Sequence, residues 1–396
     1  MSTEPVRSLY IHVPFCAHKC EYCAFYSAPA AGDQIQRYVT ALVREMELIA
    51  PECRPETVFF GGGTPSMLSL KQWETIVAAM HRLGLAGAPE WTVECNPATV
   101  SADKARLLRD AGVTRISMGV QSFDESLLDR LGRIHTRDQV FRSYDILRGA
   151  GFTHINIDLM FAIPGQSMAL WDQTIDEALA LQTEHLSCYE VIYEDDTPLY
   201  EQLKAGQFAV DEDLACDMYD RLIDRLADAG FRQYEIANFA RESVSQLSTL
   251  NSQLPQNACR HNIAYWRGQD FHGLGPSASE YVRGLRSRNW ANTNLYCDQL
   301  EKGRRAKEFA EALPPLARAG ELAAFGLRMN AGWPFEEFRQ RTGFDLRDQW
   351  RADLDELKNR GWAEETADSF RLTRSGLRFA DSAGQQMLRT PEPTSR

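Results

Sequence analysis

The stretch Cys16-Ala-His-Lys-Cys20-Glu-Tyr-Cys23-Ala-Phe25 decides how the rest of this sequence is interpreted. Three thiolates at the spacing C-x3-C-x2-C can turn inward from one short loop and bind three irons of a cubic 4Fe–4S cluster, which leaves the fourth iron without a protein ligand. Structural zinc sites instead pair two cysteine knuckles per metal, and the sequence contains no second knuckle. The spacing therefore favours a cluster with one iron open to a small molecule.

The composition is typical of a globular protein from a reducing compartment. Nine cysteines in 396 residues are an odd and low count, which does not suit a disulfide scaffold, although buried core thiols remain an alternative use. We find no basic and apolar leader and no run of about 18 apolar residues, so we expect a cytoplasmic protein without a membrane span. The net charge of −12 argues against a protein that binds nucleic acid.

Six short apolar runs alternate with segments of helical periodicity in the first 240 residues. The runs cover residues 8–13, 57–60, 91–94, 115–120, 154–160 and 186–192. Strands that alternate with helices predict a parallel sheet with right-handed crossovers. Six units are too few for a closed eight-stranded barrel, so we predict an α/β fold whose residues 1–240 form an open, partial (β/α)6 TIM-like barrel.

Polar residues end or follow these strands, at the edge where parallel sheets place their chemistry. Gly61-Gly62-Gly63-Thr64 follows the second run, and Glu94 and Gln121 end the third and fourth. Glycines let the backbone approach a ligand closely, where its amides can bind a carboxylate or its carbonyl groups can hold an amine. We therefore expect a ligand site at this edge of the sheet.

The last quarter of the sequence predicts a second domain. Helical patterns at residues 316–328, 335–341 and 346–359 precede a short hairpin, which is typical of a winged helix. From residue 316 to 396 there are 13 basic and 13 acidic side chains, which favours a cap or docking module over DNA binding. We predict a linking region at 241–313 with a surface loop at 240–256, a mostly α, winged-helix-like domain at 314–390 and a tail at 391–396.

Taken together, these motifs resemble the radical S-adenosylmethionine (SAM) superfamily. The cysteine motif, with Tyr10 before it and Gly61-Gly62-Gly63-Thr64-Pro65 after it, is similar to the coproporphyrinogen dehydrogenase-like (HemN/HemW) branch, and the resemblance runs from about residue 9 to about residue 388. It implies a 4Fe–4S cluster whose open iron is chelated by the amino and carboxylate groups of SAM. In that family an electron from the cluster breaks the sulfonium C–S bond and releases a 5′-deoxyadenosyl radical. The implied cluster ligands are Cys16, Cys20 and Cys23.

The resemblance also implies which residues surround SAM. Glu94 and Asp158 can accept hydrogen bonds from ribose hydroxyls or an ammonium, and the planar guanidinium of Arg133 matches a carboxylate. For each of these residues alone, a structural ion pair or a helix cap is the alternative role, and Tyr10 and Ile192 could equally be packing residues. The full implied set is Tyr10, Tyr22, Gly62, Gly63, Thr64, Glu94, Gln121, Arg133, Asp158 and Ile192.

A second distinctive string is His261-Asn262-Ile-Ala-Tyr265-Trp266. It resembles the His-Asn-x-x-Tyr-Trp motif of the haem-chaperone side of the family, which implies a haem site at His261, Tyr265 and Trp266, with Cys259 as a second candidate ligand. Histidine is a common axial ligand of haem iron, and tyrosine and tryptophan can stack on a porphyrin. The alternative is a structural role in which His261 and Asn262 cap a turn and the aromatic residues fill the core.

Two functions follow from the resemblance. We expect a HemW-type haem chaperone that carries haem as cargo to acceptor haem proteins, such as membrane-associated respiratory proteins. The alternative is an oxygen-independent coproporphyrinogen III oxidase, which decarboxylates two propionates to vinyl groups. The oxidase pattern continues C-x3-C-x2-C-x-C, but Phe25 stands at the fourth cysteine, and the segment before the cluster is short. Both features favour the chaperone, and a different hydrogen-abstracting radical SAM enzyme is the third possibility.

Overall fold

A computed structural model describes residues 4–29, 33–242 and 254–389 of the chain. The predicted tail, and most of the surface loop predicted at 240–256, lie outside these residues. The predicted α/β fold class is confirmed: a sheet of parallel strands is covered by helices, and a smaller, mostly helical domain follows it. No helix within the described ranges is both long enough and apolar enough to cross a membrane.

The barrel contains the six predicted strand–helix units. Neighbouring strands from β1 to β6 pair in chain order, each parallel to the next. The strands are β1 (Val6–Val13), β2 (Cys53–Gly62), β3 (Glu90–Cys95), β4 (Arg115–Gln121), β5 (Ile155–Phe161) and β6 (His185–Glu190). The helices are α1 (Gln34–Ile49), α2 (Leu70–Leu83), α3 (Ala102–Asp110), α4 (Glu125–Arg130), α5 (Arg137–Gly149), α6 (Met168–Ala180), α7 (Pro198–Lys204) and α8 (Glu212–Asp228).

Additional strands extend the sheet at both sides of the barrel. Beyond β6 lie β8 (Asn238–Arg241) and β7 (Phe231–Glu235), and on the other side β9 (Phe271–Leu274) runs parallel to β1. Three antiparallel strands complete that side: β10 (Ser279–Val282), β11 (Leu285–Asn289) and β12 (Lys307–Ala312). Two helices belong to the same part of the chain, α9 (Arg260–Trp266) and α10 (Thr293–Glu301). The described residues thus form one twelve-stranded sheet.

The C-terminal domain joins helices to a small antiparallel sheet, as in a winged helix. Its strands β13 (Trp333–Pro334), β14 (Ala363–Glu365) and β15 (Ser369–Leu372) lie in the order β13-β15-β14. Its core includes Trp333 and Trp350, both fully buried. Arg378 pairs with Asp220 of α8, which ties the domain to the barrel. The helices are α11 (Pro315–Gly326), α12 (Phe335–Thr342), α13 (Leu346–Gln349), α14 (Arg351–Asn359), α15 (Arg374–Leu377) and α16 (Ala380–Met387).

The barrel strands alternate between an apolar outer face and a polar inner face. In β3, Trp91 and Val93 are fully buried in the layer between sheet and helices, where Trp91 stacks on Phe60 of β2. The alternate residues Glu90 and Glu94 point to the barrel axis, because consecutive side chains of a strand point to opposite faces. The outer layer supplies the apolar burial that stabilises the fold, and the interior is left polar.

Candidate functional site

A cavity of about 450 Å³ opens at the C-terminal ends of the barrel strands. Tyr10 alone among the expected cluster and SAM residues does not line it; its hydroxyl lies 3.0 Å from His12 Nδ1, and its ring packs against Phe59. The expected residues that do line the cavity are Cys16, Cys20, Tyr22, Cys23, Gly62, Gly63, Thr64, Glu94, Gln121, Arg133, Asp158 and Ile192.

The three cysteines of the motif lie on the loop that follows β1, and all three are free, partly exposed thiols. Backbone hydrogen bonds hold this loop: the amide of Cys16 donates to the Ala28 carbonyl (3.2 Å), and the amide of Glu21 donates to the Leu131 carbonyl (3.0 Å). Burial raises the pKa of the Cys23 thiol, and the neighbouring Cys20 adds to the shift. A bound metal would favour the thiolate there, because it replaces the proton.

The donor set fits a cluster better than a single metal ion. Within the described ranges, no three histidine, cysteine or acidic side chains are arranged to hold one ion. A 4Fe–4S cluster does not require them to converge, because each thiolate binds a different iron. Two other cysteines line the cavity, Cys95 and Cys259, but burial raises the pKa of each to about 12, so they remain thiols.

Arg133 connects the cysteine loop to the rest of the cavity. Its Nη1 donates to Cys20 Sγ at 3.5 Å, and its Nη2 donates to the carbonyl of Gly119 at the end of β4. The Nε of Arg133 is buried, and no acceptor for it occurs among the described residues. A guanidinium with a free donor beside the cluster loop fits the carboxylate of SAM, because Arg binds carboxylates with paired N–H groups.

The glycine segment is shaped by packing against β1. A Cβ on Gly62, whose φ is +103°, would lie 2.5 Å from the His12 ring, and one on Gly63 would lie 2.7 Å from the Phe15 carbonyl oxygen. The Gly62 amide donates to Glu94 Oε2 (3.2 Å), the Gly63 amide to the Val13 carbonyl (2.8 Å) and the Thr64 amide to the Phe15 carbonyl (2.7 Å). Each of these three amides already has an acceptor, so binding a ligand carboxylate would require it to exchange that partner. The alternative expectation, that the segment holds a ligand amine, stays a prediction.

Two carboxyl groups face the same cavity. Burial, with the Asp158 charge as the next cause, raises the pKa of Glu94 to about 8. Burial also raises the pKa of Asp158 to about 6, although Asn156 donates a hydrogen bond of 2.7 Å to its carboxylate. Carboxyl groups that lose solvation in this way gain from a nearby cation. SAM, which carries an ammonium and a sulfonium, fits that requirement.

The floor of the cavity contains residues that the sequence motifs did not assign to a ligand site. They are the inward side chains of β4, β5 and β6 together with the start of α9: Arg115, Ser117, Asn156, Ser187 and Asn262. The signal was present in the strands themselves. In Ile155-Asn156-Ile157-Asp158-Leu159, polar side chains occupy alternate positions of an otherwise apolar strand, which indicates a polar interior face.

The His-Asn-x-x-Tyr-Trp string lies below this floor, in α9. His261 is buried and stacks on Phe59 at 5.2 Å between ring centroids. The Thr57 hydroxyl donates to Ser8, so His261 Nδ1–H donates to Thr57 (2.8 Å), and His261 Nε2 accepts from the Tyr265 hydroxyl (2.8 Å). Burial lowers the pKa of His261 to about 3, so the ring is neutral. These contacts give His261 and Tyr265 a structural role in this network. Ligation of haem iron by His261 would require it to give up one of the two hydrogen bonds, because iron binds a single ring nitrogen.

Trp266 lies farther from the cavity, between α9 and the C-terminal domain. Its ring packs edge-on against Phe325, and the guanidinium of Arg328 lies 4.8 Å from its centroid. It shares a small apolar cluster with Tyr234 and Met329. This position gives Trp266 a packing role at the domain junction, and a porphyrin there would have to displace those neighbours.

Comparison with known proteins shows the family to which the chain belongs. The family model of the radical SAM superfamily matches residues 10–178, and that of the HemN C-terminal domain matches residues 313–379. The solved structure of the coproporphyrinogen III oxidase HemN from Escherichia coli, a radical SAM enzyme, superposes with a TM-score of 0.83 over 98% of this chain and 91% of that chain. At 21% sequence identity, that likeness shows the fold alone.

Relatives at higher identity match along nearly the whole chain. The heme chaperone HemW of Lactococcus lactis subsp. lactis is 33% identical over 384 residues, which cover 96% of this chain and 97% of the relative. The heme chaperone HemW of Bacillus subtilis is 32% identical, over 94% of this chain and 96% of the relative, and that of E. coli is 34% identical, over 96% and 97%. The chain therefore belongs to the radical SAM superfamily and, within it, to the family of the heme chaperone HemW.

Proposed function

We propose that this protein is a haem chaperone that binds haem as cargo and passes it to acceptor haem proteins. In this proposal Cys16, Cys20 and Cys23 hold a 4Fe–4S cluster, and SAM occupies the barrel cavity. The observation that carries it is the arrangement at the C-terminal end of the barrel, where the three thiols, the Arg133 guanidinium and two carboxyl groups line one cavity. The names of the full-length relatives support haem as the cargo.

The cluster, when bound, supplies an electron and one iron with a free coordination position. The chain's own residues supply orientation. Arg133 donates to the carboxylate of SAM from its free Nε, and Glu94 and Asp158 accept from the ammonium and the ribose hydroxyls. Gln121 holds the remaining polar edge of the ligand, and Ile192 packs near its adenine.

Two features favour transport over the oxidase reaction. Phe25, at the position of the oxidase's fourth cysteine, is exposed at the cavity mouth. Membership in the HemW family points the same way, whereas the oxidase shares the fold at low identity. We further propose a cytoplasmic protein whose acceptors include membrane-associated respiratory haem proteins, and no nucleic-acid partner, because the C-terminal domain carries no net charge.

The test compares two porphyrins on one preparation. Anaerobically reconstituted protein is titrated with haem and followed by its Soret band, and a second sample is incubated with coproporphyrinogen III, SAM and a reductant. We expect stoichiometric haem binding, no protoporphyrinogen IX, and appearance of the haem in a separated apo acceptor after mixing. Formation of protoporphyrinogen IX would contradict the chaperone function, as would a wild-type protein that binds no haem.

A further inference from the structure

Four large apolar side chains are exposed around the mouth of the cavity. Phe25 is 69% exposed, Ile192 64%, Ile134 53% and Tyr189 42%, and all four line the cavity. They come from four separate segments: the cysteine loop, the connection between α4 and α5, the end of β6 and the chain after it. Isolated exposed hydrophobic residues are common on protein surfaces, but a group gathered around one opening marks a binding surface. We call these four residues the mouth platform.

Polar side chains beside the platform carry charge of both signs. His18 and Lys19 are exposed on the cysteine loop, line the same cavity and form no hydrogen bond or ion pair with the residues that the structure describes. Glu190 and Glu194 line the mouth as well. An anionic group on a ligand would therefore be attracted to Lys19 and repelled by the two glutamates. Among the described residues that line the cavity, His18 is the only histidine.

The size of the cavity decides where a second ligand can lie. A volume of about 450 Å³ suits one ligand of the size of SAM. With SAM in that space, we place a porphyrin across the opening, where the exposed apolar side chains lie. A flat apolar macrocycle with two carboxylates is the chemistry that the platform and Lys19 together match.

We propose that the mouth platform is the haem-docking surface of this protein, with Lys19 pairing with a propionate and His18 ligating the iron. The inference rests on the proposed function and deepens it, because it places the cargo directly over the SAM cavity. It also moves the iron ligand away from His261, whose two ring nitrogens are hydrogen-bonded inside the barrel. Haem at the mouth requires no rearrangement of α9.

The first experiment removes apolar area from the platform without touching the expected SAM contacts. The double variant Phe25→Ser/Ile134→Ser is compared with Leu285→Ser/Phe309→Ser, a pair of similarly apolar residues exposed on β11 and β12. Because haem binding at the mouth would bury the substituted side chains, we expect haem affinity to fall at least tenfold in the first variant and to stay unchanged in the second. Iron content and SAM affinity, measured on the same samples, report whether the site is intact.

The outcomes separate this inference from the proposed function. A wild-type protein that binds no haem defeats the proposed function itself. A wild-type protein that binds haem, with unchanged affinity in Phe25→Ser/Ile134→Ser, defeats only the docking surface. Loss of affinity to the same extent in Leu285→Ser/Phe309→Ser would also overturn it, since the effect would then not belong to the mouth.

The second experiment identifies the iron ligand by spectroscopy. His18→Ala removes an exposed imidazole and is expected to shift the Soret band of the haem-loaded protein, while much of the affinity persists through the apolar contacts. His261→Gln, which keeps polar atoms near Thr57 and Tyr265, is expected to leave the spectrum as in the wild type. A spectrum that responds to His261→Gln and not to His18→Ala would overturn the assignment of His18, and one that responds to neither would do the same.

Discussion

The two ends of the barrel are built from the same strands and both have polar side chains inside, yet they differ in the partners of their hydrogen bonds. At the N-terminal end, Glu90 accepts from the amides of Arg260 and His261 (2.9 and 2.8 Å), and Arg115 donates to the Asn257 carbonyl (3.2 Å). At the C-terminal end, Arg133 Nε has no acceptor among the described residues. A polar interior alone therefore does not reveal a site. A buried donor that lacks a partner and lies beside a cavity, as in Arg133, is the stronger sign of a ligand site.

The strongest test of this contrast is the loss of the cluster. Replacing Cys16, Cys20 and Cys23 with Ala removes every protein ligand that we assign to it, so anaerobic reconstitution should yield no bound iron and no brown chromophore. The variant Cys53→Ala/Cys216→Ala, which changes thiols away from the cavity, should retain about four irons per chain. Full iron content in the triple variant would contradict the cluster assignment.

We call the N-terminal end of the barrel the closed end, because its polar groups are paired within the protein. A substitution there should change the stability of the protein and leave its metal content unchanged. His261→Ala removes two hydrogen bonds and a stacked ring from a buried position, so we expect the free energy of unfolding to fall by about 2–4 kcal/mol. Urea denaturation measures the change, and iron content should stay at the wild-type level. The control His18→Ala changes an exposed side chain, for which we expect less than about 0.5 kcal/mol. Equal stability of the two variants would contradict the structural role of His261.

SAM affinity directly tests the C-terminal end of the barrel, which we call the open end because the cavity opens there. Arg133→Gln, Glu94→Gln and Gln121→Ala each remove one hydrogen-bonding group from the cavity wall, and we expect SAM binding to weaken roughly ten- to a hundred-fold for a charge-assisted bond. Equilibrium dialysis on cluster-containing protein measures the affinity. Arg82→Gln, which breaks an exposed ion pair with Glu47 on the outside of the barrel, is the control and should bind SAM normally. Unchanged affinity in all three cavity variants would place the SAM site elsewhere.

Local patterns predicted most of the open end. The six barrel strands were visible as apolar runs because their outer faces pack against helices, and their observed bounds differ from the predicted ones by a few residues. The cysteine spacing and the polar strand ends put the candidate residues at one edge, because parallel strands bring their C-terminal ends together. The direction of the glycine amides was not predictable, since it depends on how closely β2 approaches the carbonyl groups of Val13 and Phe15.

The closed end could not be predicted in the same way. His261 bonds to Thr57, 204 positions away in sequence, and no local periodicity encodes such a contact. The strands β9 to β12 were also missed, because they are short and, as in Leu285-Arg-Ser-Arg-Asn289, carry charged residues where a buried strand would be apolar. Long-range pairing decides both features, so the motif alone could not show that His261 and Tyr265 belong to a buried hydrogen-bond network.

The smallest expected effect is a dependence of stability on pH that belongs to the open end alone. Because the pKa of Glu94 is raised to about 8 in the folded protein, the folded state binds more protons than the unfolded state between the ordinary carboxyl pKa and about pH 8. The free energy of unfolding should therefore fall as pH rises through that window. Since Glu94 is only half-buried at the cavity wall, we expect a loss of about 1 kcal/mol rather than the full shift.

The variant Glu94→Gln should flatten this dependence between about pH 5 and 8, as measured by urea denaturation of the protein without SAM. Asp158→Asn should flatten only the lower part of the range, because the pKa of Asp158 is raised to about 6. Glu74→Gln, on the exposed face of α2, should leave the pH profile of the wild type in place. If Glu94→Gln and Glu74→Gln gave the same profile, the carboxyl at the cavity wall would be as well solvated as one on the surface. The closed and open ends of the barrel would then differ only in whether their polar side chains have hydrogen-bond partners within the protein.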